Sequence, residues 1–158
     1  MTLIKTIIFT FLVPGTVTIL VPYWLLSSSV PPMHLGLFRY FGVLPILIGA
    51  AIYFLCAWDF TFAGRGTPAP IDPPKELVVR GLYRYVRNPM YVGILSILLG
   101  EALFFASSRM FAYTAVVFTF FLFFVVLYEE PILRHKFGES YRQYCLDVPR
   151  WLPRRMKN

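Results

Sequence analysis

The sequence predicts an all-α membrane protein. It has four transmembrane helices, a re-entrant or extended Gly/Pro-rich loop between the second and third, and a cytoplasmic amphipathic helix at the C-terminal end. Three observations carry this reading. Of 158 residues, 58% are apolar and only 15% charged, outside the composition of an ordinary soluble domain. The apolar residues gather into four runs with almost no charge, each near the roughly 20 residues that cross hydrocarbon. The basic residues are divided very unequally between the connecting segments, as expected of a chain with a fixed orientation in the bilayer. Four spans leave little chain for a separate soluble domain. Residues 1–158 are therefore read as one integral-membrane domain, with the first two spans in 1–60 and the part that carries chemistry in 61–158.

The first run lies within Thr6 to Met33, with its core from Ile7 to Leu26. It is interrupted by Pro14, Gly15 and Pro22, which a membrane helix tolerates as kinks. One positive charge precedes it and no small-x-small cleavage pattern stands before "SSSVPP", so it is read as a span and not as a secretory leader. The second run, Tyr40 to Trp58, contains Pro45, and the third, Pro89 to Ser108, carries a single acid, Glu101. An acid at membrane depth is costly and faces the bundle interior or a cavity. Two roles are open for Glu101: a protonated hydrogen-bonding group or a functional one. Gly93, Ser96 and Gly100 lie near one face of the same helix, which lets a neighbouring helix approach closely. The fourth run, Met110 to Tyr128, has no charge.

If the N-terminus is cytoplasmic, thirteen of the fifteen Lys and Arg residues fall on that side, and only Arg39 and Arg109 on the other. Both termini are therefore expected in the cytoplasm. The net charge of +7 reads as attraction to an anionic leaflet. No interleaved basic and aromatic surface suggests nucleic acid. Cys56 and Cys145 are far apart and lack metal-ligand spacing, so neither a disulfide nor a metal site is expected.

Between the second and third spans, "FAGRGTPAPIDPPKEL" concentrates Gly and Pro and excludes regular helix or central strand. A short helix is expected from Glu76 to Val86, with Arg80, Arg84 and Arg87 on one side at i, i+4 and i+7. Asn88 before Pro89 reads as a helix start, with Asn as N-cap and Pro at the first position. A helix start supplies free amides and partial positive charge that suit an anion.

After the fourth span comes "YEEPILRHKFGESYRQYCLDVPRWLPRR". Glu129 and Glu130 stand where the helix leaves lipid, and Pro131 opens the next helix. Leu133, Phe137, Tyr141, Tyr144 and Val148 form an apolar stripe at helical steps. That helix is expected to pack on the bundle's cytoplasmic face or to lie among the headgroups. Two charged groups thus meet at one membrane level: Arg80, Arg84 and Arg87 with the helix start, and Glu129 and Glu130 with the basic tail. Cations and anions presented together suit a zwitterionic ligand, and simple ion pairing between them is the alternative.

"RGLYRYVRNPMYVG" followed by "EEPILRHKFGESYRQYCLDVPRWLP" resembles the C-terminal signature of integral-membrane methyltransferases. These are the relatives of isoprenylcysteine carboxyl methyltransferase and of the phospholipid N-methyltransferases. The resemblance spans residues 64 to 153. It implies S-adenosylmethionine-dependent methyl transfer to a lipophilic acceptor (carboxylate, amine or thiol) at the cytoplasmic face. It further implies a cofactor site made of Arg87, Asn88, Pro89, Tyr91, Glu129 and Glu130, with Gly64 and Gly66 as a short Gly-x-Gly element. Glu130 and Arg142 are the candidates for the catalytic step, Arg142 on the acceptor side. No metal is implied. Many relatives have His where this chain has Asn88, which removes a group that titrates near neutrality. The soluble methyltransferases' Gly-rich turn after a strand is not evident. Two other classes compete: a non-catalytic scaffold whose basic edge binds anionic lipid, and a membrane reductase with a nicotinamide cofactor.

Overall fold

The computed structural model describes residues 8–27, 33–62, 77 and 79–153. Most of the Gly/Pro-rich loop, with Gly64 and Gly66, lies outside the described residues. All regular structure among the described residues is helical.

Helix α1 (Ile8–Ser27) contains a π-helical turn at Thr16–Leu20. Its cause is local: Pro22 has no amide to offer the carbonyl four residues earlier, and the turn widens so that the Val21 amide reaches the Thr16 carbonyl. A 3-10 turn at Gly36–Gly42 leads into α2 (Val43–Phe62). Helix α3 is Pro89–Phe104 and α4 is Ser108–Phe124. A second π-helical turn, Val125–Glu129, joins α4 to α5 (Glu130–Phe137). Gly138, at φ +53, separates α5 from α6 (Glu139–Asp147).

Among the described residues three stretches are long and apolar enough to cross a membrane: Ile8–Ser27, Gly36–Asp59 and the one beginning at Ser108. The expected third span is realised as the shorter α3, whose 16 residues rise only about 24 Å. Outward faces are apolar, with Phe11, Trp24, Leu47, Phe54, Phe120 and Leu127 all exposed. Such a surface is suited to hydrocarbon and not to water.

The most extensive packing is between α2 and α3, and glycine makes it possible. Gly42 faces Gly100 and Gly49 faces Gly93, so the helices run antiparallel. A Cβ on Gly100 would sit 2.6 Å from the Gly42 carbonyl oxygen, and one on Gly93 would sit 2.8 Å from that of Gly49. Ser96 donates to the Pro45 carbonyl at 2.9 Å across the same seam. The face of small residues expected from Gly93, Ser96 and Gly100 is the one used. Helices α3 and α4 form a tight hairpin. The Ser107 amide returns to the Ala102 carbonyl and the Ala106 amide to that of Leu103, each at 3.1 Å, with Ala106 at φ +50. This is a Schellman closure. Ser107 then caps α4 by accepting from the Met110 amide. Helix α1 is tied on by Tyr113, which donates to the Val17 carbonyl, and by Tyr53, which donates to Thr10. Leu98, Ala102 and Met110 lie fully buried at the centre.

The helix expected over 76–86 is not formed as such. Arg80 is extended, and among the described residues of this stretch only Gly81–Arg84 makes a 3-10 turn. Gly81 sits at φ +55, a left-handed conformation that does not continue a right-handed helix, with the Asp59 carboxylate where a Cβ would be. The three arginines therefore do not share a helix face. The expected stripe does pack: Tyr141, Tyr144 and Val148 are buried, with Leu133 and Phe137 against them. The antiparallel order places the end of α2, the start of α3, the end of α4 and the tail at one end of the bundle. Arg39 and Arg109 lie at the other.

Candidate active site at one end of the bundle

Helix α3 begins at Pro89, with Asn88 in the N-cap position, but the Asn88 side chain makes no capping bond. Its amide donates instead to the Arg150 carbonyl at 3.1 Å. One residue earlier, the Arg87 amide donates to the Pro149 carbonyl at 2.9 Å. Tyr144 adds a hydrogen bond from its hydroxyl to the Tyr83 carbonyl at 2.7 Å. The segment before α3 is thus stitched to the tail after α6, and Asn88 serves that seam.

The acids come from the π-helical turn. Pro131 lacks the amide that would close a regular turn, and the widened turn closes instead through the Glu130 amide on Val125. Such turns frequently accompany functional sites. Both consecutive carboxylates find partners on the bundle side. Glu130, only 4% exposed, accepts from Arg150 Nε at 2.7 Å and Nη2 at 3.0 Å, and from Arg87 Nη1 at 3.2 Å. Arg134 stands 3.7 Å away. A buried carboxylate is tolerable only with such compensation. Hydrogen bonding to Glu130 in turn raises the Arg150 guanidinium further above its already high range.

Glu129 is held differently. Tyr91 donates to one of its oxygens at 3.0 Å, and the other accepts no hydrogen bond from the described residues. The Tyr91 ring packs on Phe121 with centroids 4.6 Å apart. Two buried donors nearby in the fold, Arg87 Nε and Trp151 Nε1, also lack partners among the described residues. The Trp151 ring rests against Phe118 and the central core. Buried polar groups are ordinarily paired, so these two donors are the groups that a polar ligand would satisfy.

Arg87, Asn88, Pro89, Tyr91, Glu129 and Glu130 are therefore gathered at one end of the bundle. Arg80 is drawn away to Asp59, 3.5 Å from it, and Arg84 points outward, exposed. Arg142 is exposed on α6, 3.6 Å from Glu139. Sequence reasoning did not single out Arg150 and Trp151, which complete the site. The signal available was Pro149 directly before them, which ends the helix and turns the chain back toward α3. Cys145, for which neither a disulfide nor a metal site is expected, accepts from Arg87 Nη1 with its sulfur.

These features define an all-helical integral membrane protein with a buried charged site where two helices and the tail converge. The chain belongs to the phospholipid methyltransferase family, whose family model matches residues 37–140, well over half its length. It is accordingly a membrane methyltransferase. Neither the curated proteins nor the solved structures contain a match. The family match includes both glutamates and the start of α3, while Arg142, Arg150 and Trp151 fall beyond it.

Proposed function

We propose that this protein transfers the methyl group of S-adenosylmethionine to a lipophilic acceptor at the cytoplasmic face, with both termini in the cytoplasm. The observation that carries the reading is the set of buried polar atoms left without partners. Simple ion pairing accounts for Glu130, but not for Arg87 Nε or Trp151 Nε1. A zwitterion with hydroxyl groups and an aromatic base matches that set. Arg87 and Trp151 donate to its carboxylate or ring nitrogens, and Glu129 accepts from its ammonium or hydroxyls. The Tyr91–Phe121 pair offers an apolar wall. The proposed site includes Asn88 and Pro89 at the start of α3, with Gly64 and Gly66 from the preceding loop.

Bound there, S-adenosylmethionine supplies a methyl group on a sulfonium for in-line displacement. The chain's own contribution is alignment and exclusion of water, which can supply about 7–11 kcal/mol when two reactants are held in line. Glu130 acts as a positioning residue: its hydrogen bonds fix Arg87 against the tail and leave Arg87 Nε directed inward. An acceptor carboxylate or thiolate needs no further help. An amine attacks only when neutral, so its proton must first pass to water or to a carboxylate that the cofactor leaves free. Arg142, at the exposed edge of α6, is assigned to the acceptor's headgroup.

The thirteen basic residues expected on one side support the cytoplasmic orientation. The family match favours methyl transfer over the scaffold and reductase readings. The test is to incubate purified protein in bilayers with methyl-labelled S-adenosylmethionine and a panel of prenyl-cysteine, aminophospholipid, thiol and amine acceptors. Label is expected in one lipophilic class. Label in none, together with no cofactor binding by calorimetry, overturns the reading.

A further inference from the structure

A cavity of about 600 Å3 lies between α1, α2 and α3. Its wall is almost wholly hydrocarbon and aromatic, with Ala50, Phe54, Trp58 and Ile97 among the lining residues. Its size falls in the range of small-molecule sites. Three hydroxyl-bearing side chains reach it as well as Glu101, and all are committed to one another or to backbone. Tyr53 donates to Thr10 at 2.9 Å, and Thr18 donates to the Pro14 carbonyl at 2.8 Å.

Glu101 is the exception. Its Oε2 is buried without a hydrogen-bond partner among the described residues, and it forms no ion pair with them. Glu101 lines this apolar cavity, where a carboxylate without a partner is costly, and a purely hydrocarbon occupant leaves that cost in place. An occupant with one donor on an otherwise apolar chain removes it, and a cationic donor adds charge complementarity to the carboxylate. We infer that this cavity is a binding site for a lipophilic amine, its hydrocarbon chain between α1 and α2 and its ammonium on Glu101.

This is a second site and does not depend on the methyl-transfer reading. Glu101 follows Tyr91 by ten residues on α3, about 15 Å along the axis. An amine held by Glu101 is therefore not the group presented to Tyr91 and Glu129. The site's role is occupancy, holding α1 against α2 and α3 through a bound amphiphile.

The test uses the full chain in phosphatidylcholine nanodiscs, with a bromine-labelled dodecylamine as quencher of tryptophan fluorescence. Quenching is assigned to the cavity by its loss in Trp58→Phe. Saturable quenching is expected, at least tenfold tighter for the amine than for the matching dodecanol. Glu101→Gln should weaken the amine at least tenfold and leave the alcohol unchanged. Ala50→Phe, which fills the cavity, should abolish both. Equal affinities for amine and alcohol, or unchanged amine affinity in Glu101→Gln, mean that a bilayer acyl chain fills the space, and the proposal falls. If Glu101→Gln fails to fold, the comparison of amine with alcohol in the unsubstituted protein and in Ala50→Phe decides.

Discussion

Arg150 grips Glu130 with two nitrogens, Nε at 2.7 Å and Nη2 at 3.0 Å from its two carboxylate oxygens. This fork fastens the tail after α6 to the turn that ends α4. Arg87 completes the cluster from the start of α3.

Removing the shared acid strands the cations. The Arg87 side chain is only 11% exposed, so Glu130→Ala leaves it buried and uncompensated, a change that costs about 3–5 kcal/mol. Arg150→Ala removes the fork but leaves Arg87 and Arg134 on Glu130, and should cost less, about 1.5–3 kcal/mol. Arg150→Lys should restore only part of this, because an ammonium cannot make the two parallel bonds. Unfolding in mixed detergent micelles, followed by circular dichroism, reads all three.

Cofactor affinity should separate Glu129 from its neighbour. Glu129→Gln keeps the shape and removes the charge offered to an ammonium, and should weaken S-adenosylmethionine about tenfold to a hundredfold, the loss of one charge-assisted bond. Tyr91→Phe only frees Glu129 to move and should weaken binding less, about threefold to tenfold by the same conversion. Calorimetric titration in nanodiscs measures both. An unchanged Kd for Glu129→Gln removes Glu129 from the cofactor site.

Much of this arrangement was legible in the sequence because membrane spans and helix starts leave strong local signals. The uncharged runs gave the helices, Asn88–Pro89 gave the start of α3, and Gly93, Ser96 and Gly100 gave the face turned to α2. What could not be read is non-local. Nothing in the spacing of Arg80, Arg84 and Arg87 says that Gly81 reverses the backbone between them, sending Arg80 to Asp59 and leaving only Arg87 for Glu130. Asn88 has the residue type of a cap, yet the carbonyl that claims it belongs to Arg150, 62 positions away. The helix break expected at Pro131 became a π-helical turn, because a continuous helix with one widened turn keeps more hydrogen bonds than a break.

The glycine seam sets how closely α2 and α3 pack, and through it where Arg87 and Tyr91 stand. Gly100→Ala would bring a methyl group to 2.6 Å from the Gly42 carbonyl, also against Ile46. The backbone on both sides must give way, an overpacking cost of about 1–3 kcal/mol. Gly93→Ala meets Gly49 in the same way. Both variants should lower the unfolding midpoint in detergent. Gly93→Ala, two residues from Tyr91, should also weaken the cofactor, whereas Gly100→Ala, at the far end, should leave the Kd near the parent value.

Arg142 offers the sharpest test of where the acceptor sits. Its side chain is 74% exposed and that of its partner Glu139 82%, and an exposed pair of this kind contributes about 0–1 kcal/mol to stability. Arg142→Ala should therefore leave both the unfolding midpoint and the S-adenosylmethionine Kd unchanged. A residue that holds the acceptor's phosphate or carboxylate at the membrane surface still has an effect to lose. The KM for an anionic or zwitterionic acceptor should rise about threefold to tenfold, equivalent to about 0.7–1.4 kcal/mol, with little change in kcat. Arg142→Lys should recover most of it, since a point charge suffices for an exposed headgroup. If KM stays at the parent value for every acceptor that takes label, Arg142 belongs to the surface of α6 and not to the reaction.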